Sequence, residues 1–74
     1  MQKEYSQELI LLGEKIKKIR VQKEMSQSTL AAMCDVDIRT IQRIEKGEYS
    51  FGISLLFAIA AALNRKPEDL IKDN

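Results

Sequence analysis

The segment Ser26 to Gly47 leaves the chain few ways to fold. It reads Ser-Gln-Ser-Thr-Leu-Ala-Ala-Met-Cys-Asp-Val-Asp-Ile-Arg-Thr-Ile-Gln-Arg-Ile-Glu-Lys-Gly. Ser26 is placed to cap a helix, because its hydroxyl can accept from an unpaired N–H of the first turn. Leu30, Ala31 and Cys34 then give one short apolar stripe. Asp35 falls where the chain must turn, and aspartate tolerates a left-handed backbone better than most non-glycine residues. Asp37 can cap a second helix. Ile41 and Ile44 are that helix's buried edge, Ile38, Arg39, Gln42 and Arg43 point elsewhere, and Gly47 can end it. Two helices this short bury little by themselves and need a scaffold of further helices.

The rest of the chain supplies that scaffold. Leu9, Leu12, Ile16 and Ile19 recur at helical spacing and predict a first helix from about Gln7 to Lys23. The central pair spans about Gln27–Cys34 and Ile38–Lys46, and a loop from Gly47 to Gly52 carries Tyr49 and Phe51. A fourth helix is expected over about Ile53–Leu63, with Asn64 as its C-terminal cap. Pro67 suits the first turn of a short fifth helix, where Glu68 and Asp69 favour the positive end. Leu70 and Ile71 would dock it. The expectation is an all-α, compact five-helix fold, one domain over residues 1–74, with residues 1–6 a frayed tail.

The fourth helix carries no charge from Ile53 to Leu63. Ile53, Leu56, Phe57, Ala60 and Leu63 form a core-facing stripe, and Leu55, Ala58, Ile59 and Ala62 form a second apolar face. A domain this small hardly surrounds a helix completely. The second face is either covered by the tail or the fifth helix, or it is a homodimer seam. The seam is the favoured reading, since twofold dimers are the commonest closed assemblies.

Composition excludes several function classes. With 45% hydrophobic and 31% charged residues, the chain is a folded protein rather than a disordered one. One cysteine and no histidine leave zinc or haem without ligands, so no metal and no cofactor is expected. There is no nucleophile–base pair and no phosphate-cradling glycine loop, so an enzyme is not expected. Met25, Met33 and Cys34 read as core filling. The longest uncharged run is too short for a membrane span, and no basic-then-apolar signal opens the chain. The expected setting is cytoplasmic. The net charge of +1 hides a polarity: residues 15–46 sum to +4 and the remainder to −3. A basic middle can face phosphates, although a chain this charged can also segregate its charges by chance.

Taken in order, Leu12-Gly13, Ile16, Ile19-Arg20, Ser26-Gln27, Leu30-Ala31, Val36, Ile41, Arg43-Ile44-Glu45-Lys46-Gly47, Leu56, Ile59-Ala60 and Ala62-Leu63 resemble the lambda-repressor/Cro-type (XRE-type) helix-turn-helix domains. The likeness covers about Leu12 to Ile71. It implies a helix-turn-helix over residues 26–47 whose second helix lies in the major groove of double-stranded operator DNA, and a protein acting as a homodimer. By resemblance, Ile38, Arg39, Gln42 and Arg43 read bases. Arginine suits guanine, glutamine adenine, and isoleucine a thymine methyl. Gln27, Thr40, Lys46 and Tyr49, with loop N–H groups from Gly47 to Tyr49, match phosphate contacts, which fix register without reading sequence. Gln27 would also brace the recognition helix. Arg20 and Glu45 match a structural ion pair tying the first helix to the end of the third.

Bland roles stand beside these. Gln27 can be an ordinary first-turn residue. Arg39 and Arg43 can be a solvated face, or pair with Asp37 or Glu45. The chain also departs from the family pattern. Asp35 replaces the usual turn glycine, which implies backbone strain. Phe51 replaces a small residue or proline and, with Tyr49, packs under the fourth helix or joins the seam. Lys66 stands where a serine-type cap often precedes Pro67, so the fifth helix is expected to start loosely. The resemblance implies a small dimeric transcriptional regulator: a phage-type repressor, a restriction–modification controller or an antitoxin-like autoregulator. No sensor domain and no small-molecule effector is expected. The alternative is a protein-binding adaptor that keeps the fold and uses the fourth helix for a partner without reading DNA.

Overall fold

Left-handed residues punctuate the helices of the computed structural model, which describes residues 6–72. They run as α1 (Gln7–Gln22), α2 (Gln27–Cys34), α3 (Ile38–Glu45), α4 (Ile53–Ala62) and α5 (Pro67–Ile71). The described residues contain no strand. Glu24, Asp35, Gly47 and Asn64 all have positive φ, at 56°, 58°, 76° and 58°. Each directs the following N–H back to a carbonyl five residues earlier. The pairs are Met25 to Arg20, Val36 to Ala31, Glu48 to Arg43 and Arg65 to Ala60, at 2.8–3.1 Å. Four helices thus end in the same motif, which satisfies terminal carbonyls and reverses the chain within two residues.

Helix starts follow side-chain chemistry. The hydroxyls of Ser6 and Ser26 accept from Leu9 and Thr29 N–H at 3.2 and 3.0 Å. Asp37 accepts from Arg39 N–H at a long 3.5 Å. The fifth helix starts more firmly than its lysine cap implied, because the Asp69 carboxylate reaches back to Lys66 N–H at 3.2 Å. That supplies a partner the lysine cannot.

Ile16, Ile19, Leu30, Ala31, Cys34, Ile41, Ile44, Ile59, Ala60, Leu63 and Leu70 form one buried cluster drawn from all five helices. Helix α2 packs on α3 and α4, α1 on α3 and α5, and α4 on α5. Gly13 sets how closely α1 meets the end of α3. A Cβ there would run into the Ile44 carbonyl oxygen and lie 3.0 Å from that of Glu45. Two core assignments on α2 and α5 fail. Met33 is 56% exposed and Ile71 64% exposed, because short α2 and α5 each bury only one edge, and Leu30 and Leu70 occupy it. Cys34 is buried as expected, and burial pushes its thiol pKa up, which keeps it protonated.

Asp35 sits in the left-handed region at φ 58°, ψ 44°, and its carboxylate makes no hydrogen bond among the described residues. Glycine would relieve the steric penalty and add some unfolded-state entropy. Asp35→Gly is therefore expected to stabilise the fold by about 0.5–1 kcal/mol, or roughly 2–8 °C in melting temperature. A thermal melt checks it, and a lower midpoint would contradict the strain assignment.

Candidate nucleic-acid interface

Helix α3 is sharply two-sided. Ile41 and Ile44 are 0% and 1% exposed, and Glu45 also points inward. Arg39, Gln42, Arg43 and Lys46 are exposed and fall at i, i+3, i+4 and i+7, one face of the helix. Ile38, 40% exposed, lies at the margin of that face. Thr40 is half-buried. Its N–H closes the first turn on Asp37 O at 2.9 Å.

The two arginines are unencumbered. Among the described residues no carboxylate pairs with either, which removes the Asp37 and Glu45 alternatives. Asp37 is engaged as the helix cap, and Glu45 faces the opposite way. The Arg43 guanidinium instead lies over the Tyr49 ring, 5.3 Å from its centroid. Tyr49 in turn stacks with Phe51, their rings 13° from parallel and 6.4 Å apart.

Behind this face is a buried polar knot. Arg20 Nε donates to Glu45 Oε2 at 2.7 Å, its Nη2 to Oε1 at 3.1 Å, and its Nη1 to Met25 O at 2.7 Å. Both side chains are almost fully buried. Gln27 Nε2 donates to Glu45 Oε1 at 3.0 Å, which couples the start of α2 to the end of α3. An amide nitrogen has two hydrogens, so this brace leaves one for a phosphate.

Gln27, Gln42, Glu45 and Lys46 surround a depression of about 350 Å³ together with Lys17 from α1. Lys17 did not stand out in the sequence. Its signal was available only in three dimensions, since two other lysines, Lys15 and Lys18, share its helix. Lys15 and Lys18 line the groove between α1 and α5 instead, and Lys15 Nζ donates to Lys72 O at 2.9 Å. The basic run is thus divided between two surfaces. The depression gathers two of the four expected phosphate residues, Gln27 and Lys46. Thr40 and Tyr49 lie outside it. The loop N–H groups of Gly47 and Glu48 are not free for phosphate, because the α3 cap uses them on Ile44 O and Arg43 O at 3.0 and 2.9 Å.

The expected seam on α4 requires correction. Ile59 is 0% exposed and belongs to the core, and Leu55, Ala58 and Ala62 pack partly against it. Ile53 and Phe57, expected inside, are 67% and 55% exposed. With Ala61 they make a free strip at i, i+4 and i+8. The reason is that α4 is flanked by both α2 and α5, which rotates its buried arc toward Ile59.

Comparison with known proteins adds three likenesses and a family. A helix-turn-helix family model matches residues 16–70. The control protein C.BamHI of Bacillus amyloliquefaciens is 36% identical over 63 residues, covering 84% of this chain and 78% of that protein. The restriction-modification controller protein C.AhdI from Aeromonas hydrophila matches in structure with a TM-score of 0.82 at 27% identity, over 84% of this chain and 94% of that one. The P22 c2 repressor, solved in complex with a synthetic operator, matches with a TM-score of 0.80 at 30% identity, over 86% and 97%.

Proposed function

The chain belongs to the helix-turn-helix family, and on that premise we infer that it is a transcriptional regulator that binds double-stranded operator DNA through α3. The observation that carries this reading is the face formed by Arg39, Gln42, Arg43 and Lys46, with no carboxylate paired to its arginines among the described residues. Arg39, Gln42 and Arg43 meet base edges, and Ile38 packs on a thymine methyl at the margin. Lys46, Lys17 and the spare Gln27 hydrogen hold phosphates, and Thr40 meets the backbone beside them, while the Tyr49 ring faces the Arg43 guanidinium instead. The protein works in the cytoplasm as a homodimer, without cofactor or effector. Its seam includes the free strip Ile53, Phe57 and Ala61 on α4. Of the regulator types open to this fold, a restriction–modification controller is best supported. C.AhdI is named as a restriction-modification controller and C.BamHI as a control protein, and both align over most of this chain.

Selection from a random duplex library with the purified protein tests this. Palindromic half-sites about one helical turn apart, roughly 34 Å, are expected. Lys17 and Lys46 of both protomers would release four counterions, giving a slope of log K against log salt of roughly −4. Failure to enrich any motif would overturn the reading in favour of the adaptor.

A further inference from the structure

The two arginines of α3 are not equivalent, and the difference lies in the loop that follows. Arg39 is exposed with no aromatic partner among the described residues. Arg43 lies over Tyr49, whose ring is partly buried against the core and backed by Phe51. The backbone fixes the two ends relative to each other. Glu48 N–H donates to Arg43 O at 2.9 Å, so the residue just before Tyr49 is tied to Arg43 itself. Gly47, at φ 76°, lets the loop fold back this sharply.

We propose that Tyr49 is a specificity-determining positioning residue whose ring, backed by Phe51, pre-sets the Arg43 guanidinium for one base pair of the operator. The inference rests on the DNA-binding reading and goes beyond it. Its physical basis is the geometry of the guanidinium. A carboxylate partner would occupy the N–H edge that must meet a guanine. An aromatic ring takes only the flat face and leaves the five in-plane donors available. The ring contact, 5.3 Å from guanidinium carbon to ring centroid, restrains a long, rotamer-rich side chain without consuming its hydrogen bonds. The ordering cost of Arg43 is therefore met partly before DNA arrives, whereas Arg39 meets its own on binding. Discrimination concentrates at the base pair read by Arg43.

The test titrates the full chain and its variants against the selected operator, against operators altered at each base pair, and against random duplex. Tyr49→Ala is expected to weaken binding to the preferred operator by roughly 5- to 160-fold, the equivalent of one restrained long side chain in each protomer. It leaves random duplex and the operator altered at the Arg43 position unchanged. Tyr49→Leu keeps bulk for folding but lacks a ring face, and behaves the same way. Tyr49→Phe retains wild-type selectivity. In an Arg43→Ala background, Tyr49→Ala has no further effect, which makes the two substitutions fully coupled. Four results would each overturn the proposal: Tyr49→Phe losing as much as Tyr49→Ala, a loss equal on every duplex, additive effects of the two alanines, or tighter binding by Tyr49→Ala. The first two would make Tyr49 a plain hydroxyl contact to phosphate, and the last would mean that the ring holds Arg43 away from the base. If the wild-type chain selects no sequence, the DNA-binding reading fails. If it selects one and the coupling is zero, only the positioning role fails.

Discussion

Alanine at both Arg39 and Arg43 is expected to abolish operator selection and leave the protein folded. Each bidentate arginine–guanine pair contributes about 1–3 kcal/mol of discrimination, or roughly 5- to 160-fold. Losing two in each protomer removes most of the roughly 10³- to 10⁷-fold margin that separates specific from non-specific sites. What remains is the weak, salt-sensitive attraction supplied by Lys17, Lys46 and the start of α2. Stability should hardly move. Both arginines are exposed and neither has a carboxylate partner among the described residues. Alanine is also the better helix former. Fluorescence anisotropy with operator and random duplex, beside a thermal melt, separates these effects. Equal affinity for the two duplexes with an unchanged melt is the expected pattern. Retained operator selection would mean that α3 does not read bases. Loss of the melt would mean that the arginines support the fold.

Elements with strong local chemistry were legible in the sequence. Ser26 and Asp37 cap helices where their side-chain oxygens dictate, and Asp35 takes the left-handed turn that its position demanded. The α3 pattern was also legible, because isoleucines at 41 and 44 against arginines at 39 and 43 leave one amphipathic solution. Helix α4 was not. Every residue from Ile53 to Leu63 except Ser54 is apolar, so periodicity cannot say which arc is buried, and only the positions of α2 and α5 decide it. The role of Lys17 was hidden for the same reason, since charge counting weighs all lysines of α1 alike and packing sends Lys15 and Lys18 to another surface. The Arg43–Tyr49 stack depends on a loop reversal, and no spacing rule joins residues on either side of one.

The largest effect on stability is expected from Arg20→Ala. The substitution strips Glu45 of both guanidinium hydrogen bonds and leaves the Met25 carbonyl without its donor at the α1–α2 turn. Glu45 stays buried, with only the neutral Gln27 amide as a partner. Breaking one side of such a pair costs about 3–5 kcal/mol, because a charge is left desolvated and uncompensated. A chain of 74 residues has a total stability of roughly 4–11 kcal/mol. The loss is therefore between about a quarter and all of it, and a fall in melting temperature of at least about 12 °C is expected. Binding fails in the same preparation because α3 loses its anchor to α1, not because a DNA contact is removed. Removing both charges separates the two causes. Arg20→Met combined with Glu45→Leu eliminates the stranded carboxylate and fills the space with apolar atoms, so it should melt well above Arg20→Ala. If Arg20→Ala lost binding with no fall in melting temperature, Arg20 would be a DNA contact and the buried knot would not be what holds the recognition helix in place.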